Sequence, residues 1–203
     1  MLIEKALALL TAGKPARRAE LTAEEVPGYR ALQLLTAKPV LYVCNVDEAS
    51  AANGNAMTAK VTEFAKAEGA GCVVISAKIE AELSGLEAEE RQAFLAEMGL
   101  DEPGLNRLIR EGYTLLGLVT YFTVGPKEAR AWTITEGTKA PKAAGVIHTD
   151  FEKGFIRAET IAYTDYVSLN GETGARDAGK MRLEGKEYVV RDGDVLHVRF
   201  AGG

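Results

Sequence analysis

Residues 41–48 read LYVCNVDE, an apolar run rich in β-branched and aromatic side chains that stops at the amide Asn45, with the carboxylate Glu48 three places on. In an open α/β sheet, ligands bind outside the carboxyl ends of the strands, and Asn45 and Glu48 stand just past one. An Asn amide donates and accepts at once, which suits the N7 and exocyclic edge of a purine. A second apolar run, CVVIS, leads into Ser76-Ala77-Lys78, placing small residues and backbone N–H groups beside the same edge. A plainer reading stands beside this one: Asn45 caps a loop and Glu48 is solvated.

A second set of candidates lies further along. Lys139, Lys142, Lys153 and Arg157 offer cations to RNA phosphates. His148 and Asp150 sit among them, and both also fit structural roles. His148 would close a helix end, where a cation is favourable, and Asp150 would fix a turn. Trp132 and Tyr163 read as core residues rather than stacking platforms. Two histidines and two cysteines do not make a zinc site, and no nucleophile–base–acid spacing stands out. No catalytic and no metal-binding residue is therefore assigned. Asp101 to Gly104 has the letters of a magnesium-binding DxxG, but it follows the Ser76 segment and reads as a helix N-cap.

The elements that must position these residues follow from periodicity. Leu2, Ala6, Leu9 and Leu10 have helical spacing, stopped by Gly13 and Pro15. Thr22 and Glu25 have capping-box spacing ahead of a helix through Leu32, Leu34 and Leu35. VLYVC (40–44) and CVVIS (72–76) read as strands covered on both faces. Between them Asn55 caps a helix that ends at Gly69, and the unit reads as a right-handed βαβ with a parallel pair. Ser84 and Glu87 suggest a capping box ahead of a helix through Phe94, Leu95 and Met98. Asp101 then opens a helix carrying Leu105, Leu108 and Ile109. From Gly117 the pattern becomes α+β. Runs 118–124 and 128–134 form a hairpin around Gly125-Pro126, Pro141 to His148 a short helix, and 155–163 a half-buried strand. Residues 187–190 and 195–200 form a closing hairpin around Asp192-Gly193-Asp194.

The chain has 203 residues and a formal net charge of −5, which argues against a uniformly basic nucleic-acid binder. Residues 1–110 carry 12 Lys+Arg against 16 Asp+Glu, and residues 111–203 carry 12 against 13, so any nucleic-acid contact must use a local patch. No apolar run approaches the ~20 residues that span a bilayer, and the start lacks signal-peptide features. Cys44 and Cys72 lie in apolar runs. A disulfide between them is geometrically conceivable, but they read as reduced core thiols of a cytoplasmic protein.

The order Asn45-x-x-Glu48 then Ser76-Ala77-Lys78 is reminiscent of the base-recognition elements of P-loop GTPases, written NKxD and SAK. Glu48 is one methylene longer than the usual Asp and Val46 replaces the Lys, so strict guanine selection is not implied. LLTAKPVLYVCNVDE, VVISAKIEAEL, LNRLIREGYTLLGLVTYFTVGPKEARAWTI and GTKAPKAAGVIHTDFEKGFIRAE together resemble the Obg-like ATPase family of the YchF type. That resemblance implies a helical tail of a coiled-coil insert over 1–36 and the last part of a nucleotide-binding domain over 37–112. It implies a TGS domain over 113–203. The fold expected is thus a partial P-loop NTPase α/β sheet followed by an α+β, β-grasp-like TGS domain. It further implies purine contacts from Asn45, Val46, Glu48, Ser76 and Ala77, with ATP or GTP and Mg2+ as cofactors of the full-length protein. The TGS residues Lys139, Lys142, His148, Lys153 and Arg157 would then meet the ribosome or RNA.

No G-x-x-x-x-G-K-[ST] occurs in the sequence: Gly13-Lys14 is followed by Pro15 and preceded five places earlier by Ala8. The chain alone is therefore expected neither to hydrolyse ATP nor to bind it tightly, and its partner is an N-terminal P-loop portion of the same protein. An uncapped helix at the start points to a piece of something longer. The rival expectation is a stand-alone TGS adaptor. A half sheet would leave an unpaired edge, open to self-association.

Overall fold

The computed structural model describes residues 1–201, and the chain divides into two compact units, Met1–Leu115 and Leu116 onward. The first begins with α1 (Leu2–Thr11), a 3-10 turn at Ala16–Arg18, α2 (Glu25–Ala31) and a second turn at Leu35–Ala37. Ala6, Ala16 and Tyr29 are buried together, and the Tyr29 hydroxyl donates to the Ala16 carbonyl at 2.9 Å. Glu25 reaches back to the Thr22 N–H at 2.9 Å, but α2 begins at Glu25 with Glu24 as its N-cap, so the expected Thr22 capping box does not form. The helix stops at Ala31, however, and does not run through Leu35. Gln33 takes a positive φ of 49°, and Leu32 and Leu34 pack against the Ala6–Ala16–Tyr29 cluster. Burying both leucines requires a turned chain, and that tertiary gain overrides helical spacing.

Next come β1 (Leu41–Asn45), a 3-10 turn at Glu48–Ser50, α3 (Ala56–Glu68) and β2 (Gly71–Ile75). The strands pair in parallel from Leu41 opposite Gly71 to Asn45 opposite Ile75. Among the described residues these two strands form a sheet of their own. Asn55 caps α3, its side-chain oxygen accepting from Met57 and Thr58 N–H at 2.9 and 3.1 Å, and Gly69 ends it with φ 69°. The unit closes with α4 (Ala77–Ser84), α5 (Ala88–Glu97) and α6 (Gly104–Leu116). Ile79, Leu83, Leu95 and Leu100 share a core with Ala51.

Helix α4 is absent from the sequence reading, and its presence corrects the capping assignment that follows. Ser84 ends α4, its hydroxyl donating back to Ala81 at 2.7 Å, while Glu87 is the N-cap of α5. Asp101 likewise does not open α6, which starts at Gly104 with its N–H donated to Glu80 Oε1 at 2.7 Å. A Cβ at Gly104 would lie 2.9 Å from Ile75 Cγ1 and 3.0 Å from that Glu80 oxygen. Only glycine fits this approach.

The second unit contains β3 (Leu118–Val124), β4 (Ala129–Thr135), α7 (Ala140–Ile147), α8 (Thr149–Lys153) and β5 (Phe155–Ala162). Then follow α9 (Tyr163–Ser168), α10 (Glu172–Asp177), β6 (Arg182–Glu184) and β7 (Asp194–Phe200). Sheet order is β4-β3-β7-β5-β6, with β3 parallel to β7 and the remaining pairs antiparallel. Tyr121, Ile134, Phe155, Ala158 and Leu196 pack with Ala140, Ala143 and Ala144 of α7. The Tyr121 hydroxyl donates to the Ala143 carbonyl at 2.8 Å, and burial pushes its phenol well above the usual range.

The expected closing hairpin does not form. Residues 187–190 make only a bridge, Lys139 with Val189, and β7 inserts between β3 and β5 instead. The reason is electrostatic as much as topological. Asp194 opens β7 with 3% exposure, and its carboxylate accepts from Tyr188 Oη at 2.7 Å, Arg191 N–H at 2.9 Å and Arg182 at 3.2 Å. That gathering leaves 187–190 as a strap around the carboxylate rather than a partner strand. Replacing Asp194 by Ala strips three donors of their acceptor at a buried site. It is expected to destabilise the second unit by about 3–5 kcal/mol, read as a fall in its denaturant midpoint.

Candidate functional site

The parallel register brings the ends of β1 and β2 level, and the ladder runs one step past them through Val46 N–H to the Ile75 carbonyl at 2.9 Å. Asn45 then crosses to the neighbouring strand end. Its Oδ1 accepts from the Ala77 N–H at 3.0 Å, which fixes the orientation of the amide and leaves its NH2 group to donate. Ser76 is the N-cap residue of α4, buried, with no hydrogen-bond partner for its hydroxyl. A buried polar atom without a partner is unusual, and here it lies beside the Asn45 bond.

Glu48 joins the same edge. It begins the 3-10 turn, whose Asp47 cap accepts from the Ser50 N–H at 2.9 Å, and its Oε1 lies 2.7 Å from Lys78 Nζ. The Glu48 carboxylate holds the Lys78 ammonium above its usual range. Asn45, Val46, Ser76 and Ala77 are therefore brought together with Glu48, while Glu48 is committed to a cation.

In the second unit the basic candidates are dispersed and largely neutralised. Lys139 pairs with Glu187 and Lys142 with Glu152, each at 2.5 Å. His148 ends α7 and caps α8, its Nδ1 accepting from the Asp150 N–H at 3.2 Å. The same nitrogen lies 3.4 Å from Asp150 Oδ2, a contact that a protonated ring would convert to an ion pair. Lys153 ends α8. Arg157 stands on β5 opposite Arg199 of β7, next to Ala158 opposite Val198. Ala158 and Val198 face the α7 side of the sheet, so Arg157 and Arg199 face the other. The lysines of α7 and Arg157 thus do not form one patch.

Arg157 and Arg199 share one carboxylate, Glu159, at 3.9 and 3.0 Å, and Arg199 foremost holds that carboxyl below its usual range. Glu159, Glu172 and His197 bring ligand atoms within 4.8 Å of one another. Arg199 on Glu159 and Arg176 on Glu172, at 2.5 Å, already balance both carboxylates there.

Comparison with known proteins gives one consistent result. Residues 118–201 match the family described as YchF-GTPase_C, protein of unknown function (DUF933). The "Ribosome-binding ATPase YchF" of Bacillus subtilis is 56% identical over 189 residues, 92% of this chain and 52% of that protein. Its namesake from Haemophilus influenzae is 53% identical over 198 residues, covering 98% of this chain and 54% of its own length. The chain belongs to the YchF family. The structure of the Schizosaccharomyces pombe YchF GTPase superposes with a TM-score of 0.86 at 38% identity, covering 98% of this chain and 53% of that one. This YchF-family chain spans about half the length of the curated relatives it matches.

Sequence reasoning gave no role to two side chains that shape these surfaces in the YchF-family chain, Lys78 of the Ser76-Ala77-Lys78 segment and Arg199. Lys78 stands two residues after Ser76, and a cation there facing an acidic strand end was the available signal. Arg199 was signalled by the alternation of VLHVRF, which puts it with His197 on the face opposite Leu196 and Val198. Asn45→Ala removes the Oδ1 acceptor from the Ala77 N–H. It is expected to lower the stability of the first unit by about 1 kcal/mol in chemical denaturation, with no change in the second.

Proposed function

We propose that this chain is the C-terminal portion of a ribosome-associated ATPase, supplying the base edge of a nucleotide site and a TGS module. The observation that carries the nucleotide reading is the Asn45–Ala77 hydrogen bond. It consumes the acceptor of the amide and presents the NH2, a donor matched to the N7 of a purine. Val46 supplies backbone at the same level, and the unpartnered Ser76 hydroxyl adds a polar group. Glu48 paired with Lys78 does not offer a free carboxylate to the N1–H and exocyclic amine of guanine, which favours adenine.

In this reading β1, α3 and β2 are the last part of a P-loop NTPase sheet. The phosphates and Mg2+ are held by a P-loop portion outside this chain, which pairs along the open sheet edge. The second unit is a β-grasp-like TGS domain. Ribosome contact is supported by the name that the relatives carry and by Arg157 and Arg199, two guanidinium groups directly opposite one another over a single carboxylate. Like charges so placed are unfavourable alone and are relieved by an RNA phosphate. Lys139, Lys142, His148 and Lys153, on or beside α7 and α8 with the first two paired to carboxylates, are the weaker candidates for that contact.

Two measurements test this reading. The purified chain is expected to show no ATP turnover, and Asn45→Ala in the longer protein is expected to weaken ATP binding about tenfold by calorimetry. Turnover by the chain alone, or unchanged affinity in the variant, contradicts the base-edge assignment. The chain is expected to cosediment with ribosomes, and reversing Arg157 and Arg199 to Glu is expected to lower the dependence of log affinity on log salt by about two. If neither that variant nor reversal of Lys142 and Lys153 changes cosedimentation, the TGS contact is lost as an idea.

A further inference from the structure

Cys44 and Cys72 have no role in the reading above, yet they are placed for chemistry of their own. They lie on β1 and β2, Cys44 opposite Val74 and Cys72 opposite Tyr42, so they are diagonal neighbours on one face of the parallel pair. Both are free thiols and partly exposed. Their sulfur atoms are 3.8 Å apart, and the Thr62 hydroxyl of α3 donates to the Cys72 sulfur at 3.6 Å. Cys72 also lines an open cavity of about 390 Å³ with Asn53, Gly54, Arg107 and Arg110, wide enough for a small oxidant.

We propose that Cys44 and Cys72 are a modification site, at which hydrogen peroxide forms an intrachain disulfide stapling β1 to β2. Closing the bond brings the sulfurs from 3.8 Å to about 2.05 Å, and for diagonal neighbours, whose Cα atoms stand about 7–8 Å apart, this takes a slide of β1 along β2 as well as rotation about the two Cα–Cβ bonds. The geometry assigns the order of events. Cys72, which lines the cavity, attacks as thiolate on a peroxide oxygen. The O–O bond breaks, the departing oxygen leaves as water, and Cys72 becomes a sulfenic acid. Cys44 gives up its proton and attacks that sulfur, the S–O bond breaks, and a second water departs. Two thiols and one peroxide become one disulfide and two waters, the two sulfurs having supplied two electrons. Burial and the neighbouring thiol push the Cys44 thiol up, in keeping with the resolving rather than the attacking role.

The consequence is local. Cys44 directly precedes Asn45, and a bond to a residue two positions back along β2 draws β1 along its partner. That motion strains the Asn45–Ala77 bond. A diagonal bridge of this kind is readily reduced, which marks it as reversible rather than structural. The proposal stands on the thiol geometry and does not depend on the nucleotide reading.

The test uses this chain as it is. Native protein is treated with hydrogen peroxide, excess oxidant is removed, and free thiols are titrated before peptide mapping. The expected product is monomeric, lighter by two hydrogens, lacks titratable thiol and yields a Cys44–Cys72 cross-linked peptide that dithiothreitol releases. In Cys44→Ser, Cys72 is expected to be captured by dimedone as the sulfenic acid. Two remaining thiols, disulfide-linked dimers only, or a wild-type chain that stops at dimedone-reactive Cys72 would each overturn the proposal.

Discussion

The parallel pairing of β1 and β2 is the constraint on which the first unit depends. Because Asn45 is level with Ile75, the residues just beyond each strand share one edge, and the Asn45 side chain spans the gap to Ala77. A slip of one residue would turn every side chain to the other face, moving Cys44 away from Cys72. The crossover that holds this register is anchored at both ends, by the Asn55 cap and by Gly69. Glu80 then ties α4 to the start of α6, under a glycine that leaves no room for a side chain.

In the second unit a buried anion has the organising part. Asp194 gathers Arg182, Tyr188 and the Arg191 N–H, and this fixes where β7 begins. Asp192 adds a second tie, accepting from the Thr120 N–H of β3 at 2.8 Å. With β7 held between β3 and β5, strand alternation separates the unit into an α7-covered face and an arginine-bearing face. The near-neutral charge of this half is thus not evenly spread. Half of its twelve lysines and arginines have a carboxylate partner, and Arg157 and Arg199 share theirs.

Much of this was legible in the residues themselves. The βαβ unit was read from two short apolar runs, a cap at Asn55 and a stop at Gly69, all local signals. The edge residues Asn45, Ser76 and Ala77 followed from where those runs end, and Val46 from the family resemblance. What failed were elements shorter than a periodicity window. Helices α9 and α10, six residues each, and α8, five residues, carry too few turns to show a pattern. The closing hairpin failed for the opposite reason, because its turn letters were present but Asp194 uses them to build a buried network.

The sequence by itself determined the local vocabulary of the protein: the Asn55 cap, the turns, the two parallel strands, though β1 is half-exposed rather than covered on both faces, and the order of motifs that marks the YchF family. It also determined that no P-loop stands in this chain. Only the tertiary structure decided partnership. It gave Glu48 to Lys78, divided Arg157 from the α7 lysines, and set the Cys44 and Cys72 sulfurs side by side. The physical reason is range. Propensity and capping act within a few residues, whereas ion pairs and strand register join residues tens of positions apart, and no local pattern records which partner wins.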